Sequence, residues 1–203
     1  MFVFLNKFTD YIFSDNQQVS PTIEIKRVKP LKAGELAPSF TIASRNGFWR
    51  GGLEGKSANP VLSLKQLAQR PLVLVFYSSY WNNLGQELLD VLLSARRRVQ
   101  EAGGNLLVVS AEKIDEPLYS ILADQGISLY YDLGQSLASL FGVYSEENPI
   151  WNRFSGIDIN VPQLSAYVIS PAKQVVYEFV AGDLDTFSAD DLTTAVEIAK
   201  DSK

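Results

Sequence analysis

The chain has 203 residues, 46% of them hydrophobic and 20% charged, the balance of a folded domain with a sizeable core rather than of a disordered chain. A formal net charge of −5 leaves no basic surplus to neutralise phosphates, so no nucleic-acid partner is expected. It contains no cysteine and no histidine, which excludes disulfides, thiolate nucleophiles, cysteine- or histidine-bound zinc and every catalytic device built on imidazole.

Phe4, Phe8, Tyr11 and Ile12 recur at helical spacing, which predicts a short amphipathic helix over residues 2–13 that docks onto its own domain or onto a second subunit. No stretch reaches the roughly 18 apolar residues of a membrane span, and the apolar start lacks a basic beginning and a small-residue cleavage site. A cytoplasmic protein with no membrane span is the expectation. Ser14 to Pro21 reads as a polar connector. Ile23, Ile25 and Val28 alternate with Glu24, Lys26 and Arg27 as in a short edge strand. Residues 1–30 are therefore read as an N-terminal extension and residues 31–203 as one domain.

Phe40 to Ala43 reads as a strand, and Asn46-Gly47 as a hairpin turn. The loop from Phe48 to Pro60 exposes Phe48 and Trp49, which are expected to cover a sheet edge. Its Gly51-to-Ser57 stretch has the wrong glycine spacing for a phosphate loop and reads as a turn. Ser63 is the expected N-cap of a short helix ending at Leu67. Leu72 to Tyr77 is a continuous apolar run, hence a buried strand. Leu84, Leu88, Val91, Leu92, Ala95 and Val99 then mark one face of a helix that Gly103-Gly104 stops. Arg96-Arg97-Arg98, near the end of that helix, suits the macrodipole and reads as a solvated helix end.

Asn105 to Ser110 repeats the buried-strand pattern, in parallel with the first. A helix over residues 115–125 follows, with Asp115 as cap and Pro117 in its first turn. Ser128 to Tyr131 is a short strand, and Gly134 to Phe141 a short helix ended by Gly142. Residues 143–160, with Trp151 and Phe154, form an irregular insert that serves either as a lid or as a wall. Ala166 to Ile169 and Val175 to Val180 pair across the Ser170-to-Lys173 turn. Ser188 and Asp191 have capping-box spacing and open a last helix to about Ala199. Asp183, Asp185, Asp190 and Asp191 read as helix caps, and no metal site is expected. The order of elements predicts an α/β domain with a mixed central sheet and helices on both faces.

Four segments in this order are similar to the AhpC/TSA, or peroxiredoxin-like, branch of the thioredoxin fold. Gly34-Glu35-Leu36-Ala37-Pro38-Ser39-Phe40 is close to its G-x-x-A-P-x-F opening, and Leu62 to Leu67 to the segment before its central strand. Val73 to Tyr77 followed by Trp81 resembles its hydrophobic strand and redox turn. Val161-Pro162, ahead of the next strand, resembles the proline that in thioredoxin-like proteins is cis and faces that turn. The resemblance spans about Lys32 to Ala199 and implies a thioredoxin-like fold.

The chemistry departs from the family. The peroxidatic cysteine falls on Gly85, and the first cysteine of a W-C-x-x-C version, or the threonine of the alternative pattern, on Asn82. The family's proline falls on Ser78, and its active-site arginine has no counterpart among Gln163, Leu164 and Ser165. Ser78 and Ser79 lie near but have no base to deprotonate them. Ser78, Trp81, Asn82, Gly85, Val161 and Pro162 are thus the positions of a degenerate redox site, with no catalytic, cofactor-binding or metal-binding residue. The expected function is that of a pseudoenzyme kept for binding or assembly, as a homo-oligomer or with a protein partner. A helix N-terminus near Asn82 and Asn83, beside Trp81 and Pro162, suits a small anion or a peptide carboxylate. The alternative is an oxidoreductase acting through a partner's thiols, or a non-thiol enzyme using the same cleft.

Overall fold

A computed structural model describes residues 29–182 and 187–202. The expected helix over residues 2–13, the connector and edge strand that follow it, and Asp183 and Asp185 lie outside the described residues.

Three short strands come first: β1 (Thr41–Ala43), β2 (Gly47–Phe48) and β3 (Val61–Ser63). β1 and β3 pair antiparallel as a separate ribbon. The hairpin expected at Asn46-Gly47 does not form. Ser44–Asn46 is instead a 3-10 turn that sends β2 to the edge of the main sheet. Glycine suits this crossing, because a Cβ on Gly47 would collide with the Leu129 carbonyl. Trp49 is buried rather than exposed, its indole donating to the Ser44 carbonyl at 3.1 Å, and Phe48 packs edge-on against Tyr119. Both aromatics close the sheet edge from inside.

The rest alternates strand and helix: α1 (Leu64–Leu67), β4 (Leu72–Tyr77), α2 (Asn82–Glu101), β5 (Asn105–Ser110), α3 (Glu116–Asp124), β6 (Ser128–Tyr131), α4 (Ser136–Leu140), β7 (Ser165–Ile169), β8 (Val175–Val180) and α5 (Ala189–Asp201). The main sheet has the order β2-β6-β5-β4-β7-β8, parallel through β4, β5 and β6 and antiparallel elsewhere. Every residue of β4 and β5 is buried, as continuous apolar runs in a sheet covered on both faces must be.

Side chains of β4 alternate between two cores. Val73, Val75 and Tyr77 pack with Leu88, Leu92, Ala95 and Val99 of α2 and with Leu192 and Val196 of α5. Leu72, Leu74 and Phe76 face the other way, onto Leu31, Leu62, Leu67, Phe141 and Tyr167. The helical stripe is less complete than its spacing suggests, for Leu84 is 52% exposed. At the far end of α2, Arg98 meets Asp190 at 2.6 Å and Arg97 meets Glu101 at 4.0 Å. These exposed pairs contribute little and fit a solvated helix end. Asp191 completes the cap of α5, its N–H donating to the Ser188 hydroxyl at 3.1 Å. No described helix is long and apolar enough to cross a membrane.

Candidate functional site

The turn between β4 and α2 lies at the C-terminal end of the central strand. Ser78 is fully buried. Its hydroxyl accepts the Tyr80 N–H at 3.3 Å and its carbonyl the Trp81 N–H at 3.3 Å, which together wind Ser79–Trp81 into a 3-10 turn. The side chain predicted to replace a catalytic proline is thus a local cap.

Trp81 closes the turn. Its indole N–H donates to the Pro162 carbonyl at 2.8 Å, and its ring meets the ring of Phe154 at 4.8 Å between centroids, nearly edge-on. The structure brings Trp81, Val161 and Pro162 together, all of them buried. The isomer differs from expectation: no cis peptide occurs among the described residues, so Val161–Pro162 is trans. In that form the Pro162 carbonyl meets the indole N–H.

Gly85, where the sequence resemblance sets the family nucleophile, is buried on the sheet side of α2. A Cβ there would stand 3.2 Å from the Tyr77 ring, 3.3 Å from the Ser78 carbonyl oxygen and 3.4 Å from the Trp81 Cβ. A side chain at this position displaces its neighbours before it reaches any solvent. Asn82 and Asn83 stay at the surface. Asn82 takes φ 50°, a backbone conformation costly for any residue but glycine, and its side-chain amide donates to the Tyr80 carbonyl at 3.3 Å.

Sequence reasoning missed the partner of this turn, Glu112, whose carboxylate accepts the Ser79 N–H at 2.6 Å. The signal lay in the register. Tyr77 pairs with Ser110 across parallel strands, so the residues two positions further along each chain come out side by side. The chain thus supplies its own anion to the first N–H of the turn. Burial, and then the charges of Glu112 and Asp115, push the Tyr77 phenol up from its ordinary 10.0. A thiolate at Gly85 would be buried beside the Tyr77 ring, and burial disfavours the charged form, the reverse of what an activated sulfur requires.

A cation is present at this end of the sheet, on an exposed residue of the insert rather than on the strand. The Arg153 guanidinium donates to the Gln163 amide oxygen, while the Gln163 amide nitrogen donates to the Ala181 carbonyl. Burial lowers the Arg153 pKa. Asn160 holds the insert closed, accepting from the Ile150 N–H and donating to the Ser145 carbonyl, each at 3.0 Å. Phe154 points inward to Trp81, and Trp151 is 48% exposed.

Two hollows flank the turn. An apolar groove of about 310 Å³ runs along α2, lined by Leu84, Leu88, Val91, Leu164, Phe179 and Phe187. A more polar cleft of about 420 Å³ lies between α2 and α3, with Tyr77, Ser79, Lys113 and Asp115 in its wall. Gly85 lines neither.

A family model described as the AhpC/TSA family matches residues 33–178. No curated protein matches the chain. Among solved structures, Mycobacterium tuberculosis AhpC superposes with a TM-score of 0.58 at 9% identity, over 86% of this chain and 96% of that one. The reduced 2-Cys peroxiredoxin of Plasmodium vivax gives 0.55 at 17% identity, over 83% and 81%. The thiol peroxidase of Chromobacterium violaceum gives 0.55 at 15% identity, over 85% and 90%. At such identities the likeness is one of fold.

Proposed function

The chain belongs to the AhpC/TSA family, and from that premise we propose that it is a redox-silent member which works by binding or assembly instead of by peroxide turnover. The observation that carries this reading is Gly85, a residue without a side chain, standing in the nucleophile's place with Tyr77, the Ser78 carbonyl and Trp81 packed around it. The absence of any cysteine or histidine from the sequence supports it further. So does the filling of the turn by Trp81 and Phe154, which leaves a partner's thiol no seat at Gly85.

Between a small anionic ligand and a protein partner, the local chemistry favours the protein. The first N–H of the turn is already taken by Glu112. The insert, by contrast, is braced from within by Asn160 and Gln163 and presents Trp151 outward, as an aromatic anchor at an interface does.

A peroxide-consumption assay with an external thiol reductant tests the first half. The protein and its Gly85→Cys variant are both expected to run at the background rate, the variant because its thiol is buried and disfavoured as thiolate. Turnover by the unmodified chain overturns the reading. Sedimentation velocity over a range of concentrations tests the second half: self-association is expected, weakened by Trp151→Ala. Identical profiles for the two proteins move the working surface away from the insert.

A further inference from the structure

The groove along α2 has a shape and a charge that the chain itself can satisfy. Its α2 wall is Leu84, Leu88 and Val91, residues i, i+4 and i+7 of one helical stripe, and Glu87 sits on the flank of that stripe at i+3. Leu84 is 52% exposed there, an apolar side chain with one side still unpacked. Phe179 and Phe187 form the opposite wall.

The same pattern occurs in the extension. Phe4, Phe8 and Tyr11 are residues i, i+4 and i+7 of a helical stripe, and Lys7 stands at i+3 on its flank. When two such stripes pack antiparallel, residues on the same flank face each other across the seam, whereas parallel packing sets them on opposite sides. Antiparallel packing therefore places Lys7 against Glu87 while the apolar side chains of the extension meet Leu84 and Val91, the parts of the stripe that the core leaves uncovered. Opposite charges in such a position also select the orientation.

The described chain begins on the other face of the sheet, beside residues that lead to the groove. The Lys29 carbonyl lies against Gly142, where a Cβ would collide with it, and the Leu31 N–H donates to the Phe141 carbonyl at 3.1 Å. Val143, the next residue along, accepts the Gln163 N–H at 2.8 Å, and Leu164 beside Gln163 is part of the groove. Residues 14–28 reach up to about 50 Å when extended, more than enough to turn back from Lys29 to α2.

We propose that residues 2–13 dock in this groove of their own chain as an amphipathic helix, antiparallel to α2, with Lys7 facing Glu87. The seat is independent of redox silence, since it uses none of the residues around Gly85.

A chain without native thiols makes the test direct. The full-length double variant Lys7→Cys with Glu87→Cys is oxidised and run without reductant, beside Lys7→Cys with Arg97→Cys, whose second site lies near the other end of α2. The expected result is an intramolecular disulfide in the first variant, forming about tenfold faster than in the control, as a held pair does against a freely tethered one. Thermal melts of the single-cysteine variants, expected to match the parent because Glu87 is exposed and Lys7 is a polar residue, show that folding is intact. Disulfide-linked dimers in place of the internal bond would mean that the groove takes a second copy's segment, which overturns the proposal. Equal rates in the two double variants, or no bond in either, overturn it as well.

Discussion

Trp81 couples two separate parts of the chain, because its N–H reaches the Pro162 carbonyl while its ring rests on Phe154 of the insert. Trp81→Phe keeps an aromatic ring at this place and removes the donor, which leaves a buried carbonyl unpaired. The expected loss is about 1–3 kcal/mol of unfolding free energy, read from urea denaturation. Trp81→Ala also opens a cavity and is expected to lose about 3–5 kcal/mol. Variants equal in stability to the parent would mean that the indole is not the closure of the turn. How this turn closes was only partly legible in the sequence. That Pro162 faces the turn of Trp81 is what the resemblance to thioredoxin-like proteins implies, and no spacing rule gives it. Glu112 was missed because a glutamate in a loop carries no local mark, and its role appears only once β4 and β5 are set in register.

At the scale of elements, α1 shows how a four-residue helix persists when its length alone would not sustain it. The Ser63 hydroxyl takes the Gln66 N–H at 3.4 Å, and the Gln66 side chain takes the Ser63 N–H at 2.8 Å, a reciprocal cap. Ser63→Ala is expected to lower stability by about 1 kcal/mol, measured as a shift in the denaturation midpoint at constant slope. The long elements were readable for a simple reason. β4 and the middle of β5 are unbroken apolar runs, and α2 sets Leu88, Leu92, Ala95 and Val99 at helical spacing. β2 was not readable, because two residues have no period. Its pairing with β6 rests on Gly47 admitting the Leu129 carbonyl, a tertiary fact that leaves only a glycine in the sequence. Asn46-Gly47 on its own predicts a hairpin, and the pairing of β2 with β6 replaces it.

For the whole molecule, the alkaline limb of stability follows from its tyrosines. Burial lifts the phenols of Tyr77, Tyr130, Tyr131 and Tyr144 above the ordinary 10.0, and nearby acidic groups add to the shift at each. The unfolded chain gives up these protons at lower pH than the folded one. The stability they confer is therefore present in full below pH 10.0 and is lost as pH rises through the folded values. Urea midpoints are expected to fall with rising pH in that range, and less steeply in Tyr77→Phe. A flat profile would show that these phenols titrate alike in both states.

The crowding at Gly85 bears on what descendants of this chain can become. A lone mutation to cysteine sets its new carbon between the Tyr77 ring and a backbone oxygen, in a buried place that disfavours a charged sulfur. Installing a side chain at this position therefore asks the Tyr77 ring or the Trp81 side chain to give way in the same step.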